Sequence, residues 1–511
     1  MVGSVSEHIF DEDGEHDRLD THISQLVFID DVVHKRKKAV CFPFVDLRSL
    51  EQRSAVCARE VELNRRFSPD VYLGLEDVVD DDGRVVDRAV LMRRMPADRR
   101  LSTLIESGVD VRKCLESIAR IISSSHSDAD RGGAIASIAT PEAIAQLWQR
   151  SLDELEPFTV PASNGAVLGR GTVASVSRLV TEYIEGRAAL FEERIANGRI
   201  VDGHGDLLPD DIFCLPDGPR ILDCLEFDDH LRWGDVLMDV CFLAMGLERL
   251  GRKDLAAGFL AAYRRYSAEN HPPSLEHHYV AYRALVRAKV SCLKEGSATA
   301  AAATYLGQCH RHLLEARVRM VVIGGLPGTG KSTLATALGD ALGYPLLRSD
   351  ELRKERAGLD SRERAAAPFG SGLYAPTAIA ENYRALADRA RTLLARGESV
   401  VVDASFATTD QRALFARVAT ETSAQLLQFC CIVPPRVAEE RLAHRAAAAL
   451  DPSDADVSIA RQAARRFEQW PGATQVDMQA PIGRVLPLVI GQIRAPEEEG
   501  VNIAESDLIG R

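Results

Sequence analysis

Gly325, Gly330, Lys331 and Ser332 stand at the spacing G-x-x-x-x-G-K-[ST] inside GLPGTGKST. Residues of these types at this spacing can hold a polyphosphate. Glycines let the backbone fold tightly and turn several N–H groups toward one anion, and a following helix adds its positive end. In such a cradle Gly325, Leu326, Pro327, Gly328, Thr329, Gly330, Lys331, Ser332 and Thr333 line the nucleotide phosphates of ATP. Lys331 reaches the outer phosphates, and the Ser332 hydroxyl ligates Mg2+. An ordinary glycine-rich turn is the competing reading, and the flanks weigh against it. MVVIGG reads as a buried strand, and STLATALGDALG as a helix with Leu334, Leu338, Ala341 and Leu342 on one face and Gly343 as its C-cap.

Asp350 closes the strand-like PLLRSD, and Asp403 closes the strand-like SVVVD. Carboxylates at the carboxyl ends of parallel strands face the ligand crevice. One can accept a proton from a substrate hydroxyl, the role expected of Asp350; the other, Asp403, can hold Mg2+ through water. Helix capping by Asp accounts for either residue as well. Arg441 and Arg445 lie four residues apart on a predicted helix in PPRVAEERLAHRAA. Like charges at that spacing repel, and a phosphate between them would reverse the sign; a solvated face is the alternative.

A second constellation lies upstream, in VDGHGDLLPDDIFCLPDGPRILDCLEFDD. His204-Gly205-Asp206, then Asp211, then Asp223 after an apolar stretch, resembles the catalytic loop and metal aspartate of kinases. Phosphoryl transfer on that plan needs one carboxylate near the acceptor hydroxyl and two groups on Mg2+, and Asp206, Asp211 and Asp223 can fill those roles in that order. Asp, Gly and Pro also gather in plain turns. Further upstream, Lys35 in VVHK and Glu60 in REVELNRRF can form the ion pair that positions nucleotide phosphates. HKRKK is equally readable as a solvated charge run.

The elements that must position these groups follow from length and pattern. A chain of 511 residues exceeds what one core supports, so at least two domains are expected. The net charge of -13 argues against broad binding to nucleic acid or to an anionic membrane. The 10 cysteines show no CxxC pair and read as reduced, mostly buried thiols of a cytoplasmic protein. The acidic start has no apolar core of a secretory signal, and no apolar run is long enough to cross a bilayer. Near residue 318 helical patterns give way to strands alternating with helices, which implies a parallel sheet. The expected division is an acidic segment 1–19, a domain 20–318, a domain 319–495, and an acidic, flexible tail 496–511.

The second domain resembles the small P-loop kinases, the group of gluconate and shikimate kinases and zeta toxins, through GGLPGTGKST, RSDELRKE, VVVDASF and the arginine-bearing segment. That resemblance implies Asp350 as general base, Arg353 as a substrate contact, and Arg441 and Arg445 as lid arginines. Residues 20–315 resemble the aminoglycoside phosphotransferases, most of all a bacterial branch fused to a P-loop kinase. THISQLVFIDDVVHKRKK, LNRRFSPDVYLG and LDCLEFDDHLRW carry the closer match. The implied fold class is α/β and α+β: a two-lobed, protein-kinase-like domain, then a P-loop domain. Three departures stand out. Asp211 replaces the usual Asn, Leu208 replaces the second His, and LVFIDDVVHK holds no glycine where a Gly-rich loop belongs.

The expectation is an ATP- and Mg2+-dependent phosphotransferase acting on hydroxyls of a small-molecule acceptor. Two rivals stand beside it. In one, a catalytically weak N-terminal sensing domain regulates the P-loop domain; in the other, the chain is a nucleotide-dependent switch.

Overall fold

The computed structural model describes residues 3–11, 16–21, 23–42, 45–160, 168–295, 297–360, 375–448 and 457–495. The expected tail 496–511 lies outside them. Two compact units result. One takes in Met1–Val173, Phe191–His271 and Glu276–His312; the other takes in Ala174–Leu190, Pro272–Leu275 and Leu313–Arg511.

The first unit is built on a six-stranded sheet in the order Gly3–Ser6, Tyr72–Val79, Val85–Arg93, Val32–Lys37, Ser24–Ile29, Asp17–Asp20. Every pairing is antiparallel except that of Gly3–Ser6 with Tyr72–Val79. The sheet therefore begins inside the acidic start of the chain. Helix Leu50–Asn64 packs on it, started by a reciprocal cap in which Ser49 accepts from the Gln52 N–H and Gln52 from the Ser49 N–H. Its buried residues include Arg53, Cys57, Glu60, Val61 and Asn64, one stripe at helical spacing. Cys57 and Val61 join Val33, Tyr72, Val90, Phe213 and Leu222 in a single apolar core. That core ties the sheet to the hairpin Ile212–Leu215/Gly218–Ile221, which carries Asp211 and Asp223 at its two ends. The rest of the unit is mainly helical, with the apolar helix Val236–Arg249 buried along nearly its whole length.

The second unit holds an all-parallel sheet in the order Leu346–Arg348, Val400–Asp403, Arg319–Gly325, Gln425–Ile432, Thr474–Asp477. Strand Arg319–Gly325 is buried at every position, as a central parallel strand must be. Helix Lys331–Leu342 follows the glycine loop and ends at Gly343 with φ +69°. Its buried face is Leu334, Ala335 and Leu338, with Leu342 half-buried; Ala341 turns outward. The fold class is thus the expected one, α+β then α/β. Among the described residues no helix is long and apolar enough to cross a membrane.

Two expectations need correction. Strand Leu346–Arg348 stops two residues before Asp350, which sits in the first turn of helix Ser349–Arg356. A carboxylate there meets the positive helix end. Nor are all cysteines reduced: Cys114 and Cys214 form a disulfide with Cα atoms 6.1 Å apart, across 100 residues of sequence. A search for closely spaced pairs cannot see partners that only the tertiary fold joins. Of the eight free cysteines, Cys41 alone is exposed.

Candidate functional site

The N-terminal site is organised around a buried chain of ion pairs. Lys35 and Lys37 lie on one face of strand Val32–Lys37, because side chains alternate along a strand. Lys35 Nζ meets Glu60 Oε1 at 2.7 Å and Asp223 Oδ1 at 2.7 Å. Lys37 Nζ meets Glu60 Oε2 at 2.7 Å and pairs with Glu226. Glu60 is fully buried and therefore bridges two lysines. Burial opposes the charged form of Lys35, yet Asp223 and Glu60 outweigh it and hold the ammonium well above its ordinary range. Burial likewise opposes ionised Glu60, and Lys35 and Lys37 together pull it below the ordinary value. The Lys35 field, against burial, brings Asp223 down to about 2.

Asp223 is held in place by its neighbours. Its φ is +63°, a left-handed conformation that Asp tolerates better than most residues. Its N–H donates to the Tyr72 hydroxyl at 3.1 Å. Asn64 accepts from the next N–H, that of Cys224, at 2.8 Å and donates to the Cys224 carbonyl at 3.3 Å.

The HGD turn is clamped from behind by Asp239. Its carboxylate accepts from the His204 N–H at 2.8 Å and from the Gly205 N–H at 2.9 Å. Gly205 has φ +87°, and a Cβ there would press against Arg232 and Leu225 at 3.2 Å. His204 is buried, which lowers its imidazole to about 4, and its Nε2 donates to the Leu222 carbonyl at 3.1 Å. Asp206, next in sequence, is pushed up to about 6 by burial, against the pull of Arg287. Asp211 closes the short turn Pro209–Asp211 and is driven well above the carboxylate range by burial, then by Asp223 and Asp206. The structure thus brings together all five residues expected here: Lys35, Glu60, Asp206, Asp211 and Asp223. It also puts a tight turn, Asp30–Asp31, between Ser24–Ile29 and Val32–Lys37, with φ +50° at Asp30.

Lys37, Glu226 and Asp239 were not singled out from sequence. Signals for them existed. Lys37 has the same strand parity as Lys35. Asp239 is a lone carboxylate inside the apolar run VLMDVCFLAM, and a buried charge of that kind must be hydrogen-bonded. One expected outcome follows. Lys37→Met leaves Glu60 and Glu226 buried and short of a cation, and should destabilise the chain by about 3 kcal/mol in urea unfolding. Lys38→Met, at a half-exposed surface pair with Asp20, should cost far less. Equal losses from the two variants would mean that the buried chain is not what holds this lobe.

In the second unit the phosphate loop has the backbone its sequence demands. Gly325, Gly328 and Gly330 adopt φ of +136°, +84° and +93°. A Cβ on Gly325 would lie 2.6 Å from the Cys431 carbonyl, and one on Gly328 2.7 Å from that of Ala438. Lys331 and Ser332 open the helix, while Leu326, Pro327, Thr329 and Thr333 complete the loop and its exit. Asp403 ends its strand at the same edge, as expected, and is buried. Burial raises its pKa, opposed by Lys331 and by a hydrogen bond from Ser332. Its Oδ1 has no hydrogen-bond partner among the described residues, and Arg348 Nε reaches Oδ2 at 3.4 Å. A buried carboxylate oxygen left open beside a hydroxyl fits a hard cation such as Mg2+. Among the described residues, though, no group of three His, Cys, Asp or Glu side chains is gathered closely enough to hold a metal by itself.

Asp350 and Arg353 pair with each other, Nη2 to Oδ1 at 2.8 Å, one helical turn apart. Arg441 reaches back to the loop: its Nη2 donates to the Met478 carbonyl at 2.8 Å, and Nη1 lies 3.5 Å from where a Cβ of Gly330 would be. Arg445 is on the same helix, Pro435–Ala448, but its side chain lies outside the described residues. Arg348, one residue before the expected SD pair, was missed. Its neighbours identify it only through space.

Residues 320–470 match the family model described as an AAA domain. An uncharacterized protein of Mycobacterium tuberculosis strain H37Rv is 36% identical over 483 residues, which cover 94% of this chain and 95% of that protein. A protein of Mycobacterium bovis matches to the same extent. Among solved structures, a choline/ethanolamine kinase family protein from Mesorhizobium loti is 15% identical, over 60% of this chain and 92% of that one, with a TM-score of 0.37. A gluconokinase from Sinorhizobium meliloti is 22% identical, over 33% of this chain and 87% of that one, with a TM-score of 0.25.

Proposed function

The chain belongs to the family of these mycobacterial proteins, and from that premise we propose an ATP-dependent phosphotransferase with a kinase-like site in each unit. Each site moves the γ-phosphoryl group to a hydroxyl of a small molecule. The observation that carries this reading is the phosphate loop with Asp403 alongside it, at the carboxyl edge of a parallel sheet. In that unit the loop N–H groups and Lys331 bind and orient the phosphates, and Arg441 stands over the loop. Asp350 takes the proton of the attacking hydroxyl, and Arg353 fixes its orientation. Ser332 and Asp403 would hold Mg2+, which when bound neutralises charge on the outer phosphates. In the other unit Lys35, fixed by Glu60, orients phosphates, Asp206 accepts the hydroxyl proton, and Asp211 and Asp223 would hold Mg2+.

A second reading has one observation in its favour. The Asp30–Asp31 turn sets carboxylates where a glycine loop would offer N–H groups, which suits a weakly active N-terminal module that regulates the P-loop unit. A screen of hydroxyl compounds scored by phosphate transfer separates the readings. Relative to wild type, Lys331→Ala and Asp206→Ala should each lose a different acceptor under the first. No acceptor that depends on Asp206 would favour the second.

Asp211 gives a further expected outcome. Asp206, Asp211 and Asp223 place three carboxylates near a polyphosphate, and Asp211 is raised first by burial and then by Asp223 and Asp206. Two unit charges 4 Å apart repel by roughly 4 kcal/mol at an effective dielectric near 20, and divalent cations relieve that. Nucleotide binding at this site should therefore depend steeply on Mg2+. Asp211→Asn should flatten the dependence while keeping an oxygen ligand. Superimposable Mg2+ titrations of the two proteins would remove Asp211 from the metal.

A further inference from the structure

Asp211 and Asp223 stand at the two ends of one hairpin, Ile212–Leu215/Gly218–Ile221. The Leu222 N–H donates to the Asp211 carbonyl at 2.9 Å, which ties the two ends together at the hairpin base. The strands have four residues each and form a two-stranded sheet of their own. A hairpin of that size is marginal in water unless something outside holds it. The two strands are held differently. The one leading to Asp223 is fixed by side chains: Ser68 Oγ donates to the Ile221 carbonyl and accepts from the Ile221 N–H, both at 2.9 Å, and Tyr72 and Asn64 hold the next residues. The one leading from Asp211 carries Cys214, whose side chain is bonded to Cys114 and whose carbonyl accepts from Arg99 Nε at 2.9 Å. Cys114 lies in the first turn of helix Arg112–Asp128, seated by buried Leu115, Ile118, Ala119 and Ile122. The last turn of that helix carries His126, whose Nε2 pairs at 3.1 Å with Oδ2 of Asp239, the clamp of the HGD turn. One helix thus bears on the catalytic turn at one end and on the Asp211 strand at the other.

The other eight cysteines are free, so this bond does not belong to a stabilising framework of several bridges. Cutting it leaves the Ser68 and Arg99 contacts and the apolar core around Phe213 and Leu222 in place. What it removes is the covalent hold on the strand next to Asp211. We infer that the Cys114–Cys214 bond is a positioning link for Asp211 that makes the N-terminal site redox-sensitive, holding Mg-nucleotide tightly when oxidised and more weakly when reduced by a dithiol. This rests on the reading of that unit as a phosphotransferase. Cys114 is half-buried and Cys214 buried, so the attack is assigned to the Cys114 sulfur. A thiolate of the dithiol bonds to that sulfur, the Cys114–Cys214 bond breaks, and Cys214 leaves as a thiolate and takes up a proton. The second thiol of the dithiol then closes on the first and releases Cys114. The dithiol is oxidised to a disulfide, and two cysteines are reduced.

The test uses the full chain carrying Lys331→Ala and Cys41→Ser, the latter to remove the exposed thiol. It is dialysed free of reductant or treated with dithiothreitol. Thiol titration after denaturation should find two more thiols in the reduced form. AMPPNP is titrated by calorimetry at several Mg2+ concentrations, and the binding lost in Asp223→Ala is taken as that of the N-terminal site. Reduction should weaken that binding by a factor of about ten and move its Mg2+ midpoint upward, as loss of a support behind a metal ligand does. Cys114→Ser should match the reduced form under both conditions. Hydrogen exchange, read without nucleotide, should quicken in Ile212–Leu215 on reduction and stay unchanged in Val32–Lys37. The inference is overturned by equal thiol counts, by superimposable titrations of the two forms, by unchanged exchange in Ile212–Leu215, or by a dithiothreitol effect that Cys114→Ser shares. Loss of the circular dichroism signal on reduction also overturns it, because the bond then holds the fold rather than the site. AMPPNP bound by neither form defeats the phosphotransferase reading of the unit, and the inference with it. The exchange measurement, made without nucleotide, tells that failure apart from a bond that does not hold the hairpin.

Discussion

Lys331→Ala should lower nucleotide turnover by the C-terminal unit by a factor on the order of 10³ and leave the fold standing. Lys331 begins the helix after the glycine loop and is only partly buried, so no core contact depends on it. Its charge acts on Asp403, and it is the loop's own cation toward the outer phosphates. As charge builds on the transferring group, that point charge counts for more than it does in the ground state, so the loss should fall on kcat more than on KM. The measurement is ADP release by the full chain in an Asp206→Ala background, which silences the other site. Circular dichroism and melting temperature serve as the fold control. Wild-type turnover by the double variant would mean that the loop binds phosphate without catalysing its transfer.

Asp206→Asn should remove about 10²- to 10⁴-fold of the N-terminal turnover, the span a positioned general base supplies. Wild type offers a second, independent signature. Asp206 must be ionised to accept a proton, and its pKa is raised to about 6 by burial against Arg287. Activity measured in a Lys331→Ala background should rise with pH through about 6. The stability effect has the opposite sign. Between the ordinary carboxylate value of 3.8 and about 6, the folded chain binds more protons at Asp206 than the unfolded chain. Its stability contribution therefore falls as pH rises through that window and stays low above it. Asn cannot ionise, so Asp206→Asn should raise the melting temperature, and by more at pH 8 than at pH 5. A variant less stable than wild type at pH 8, or a flat activity profile from pH 5 to 7, would place Asp206 outside the role assigned to it.

Both predictions draw on groups that were visible before any fold was known, and the reason differs between the two sites. The phosphate loop is local. Its glycines, lysine and hydroxyl are contiguous, and the strand before and the helix after are set by short-range pattern, so sequence alone fixed the cradle and the Asp403 strand end. The strand end at Asp350 was misplaced by two residues, because the competition between a last strand residue and a first helix turn is decided by packing of the helix rather than by propensity.

The N-terminal site is assembled from distant pieces. Lys35, Glu60 and Asp223 are spread over almost two hundred residues, and no spacing rule makes them meet. The resemblance to kinases suggested that they do. It said nothing of Lys37 and Glu226, which extend the pair into a buried chain, or of Asp239, which clamps the HGD turn from another helix. The Cys114–Cys214 bond was equally out of reach. Sequence by itself determined which residue types could carry phosphate chemistry, and that the pattern changes near residue 318; it did not show that Ala174–Leu190 and Pro272–Leu275 group with the second unit. Only the tertiary structure decided which charges are buried against one another. Burial and distance between remote residues set the pKa of Asp206, and neither quantity exists until the chain is packed.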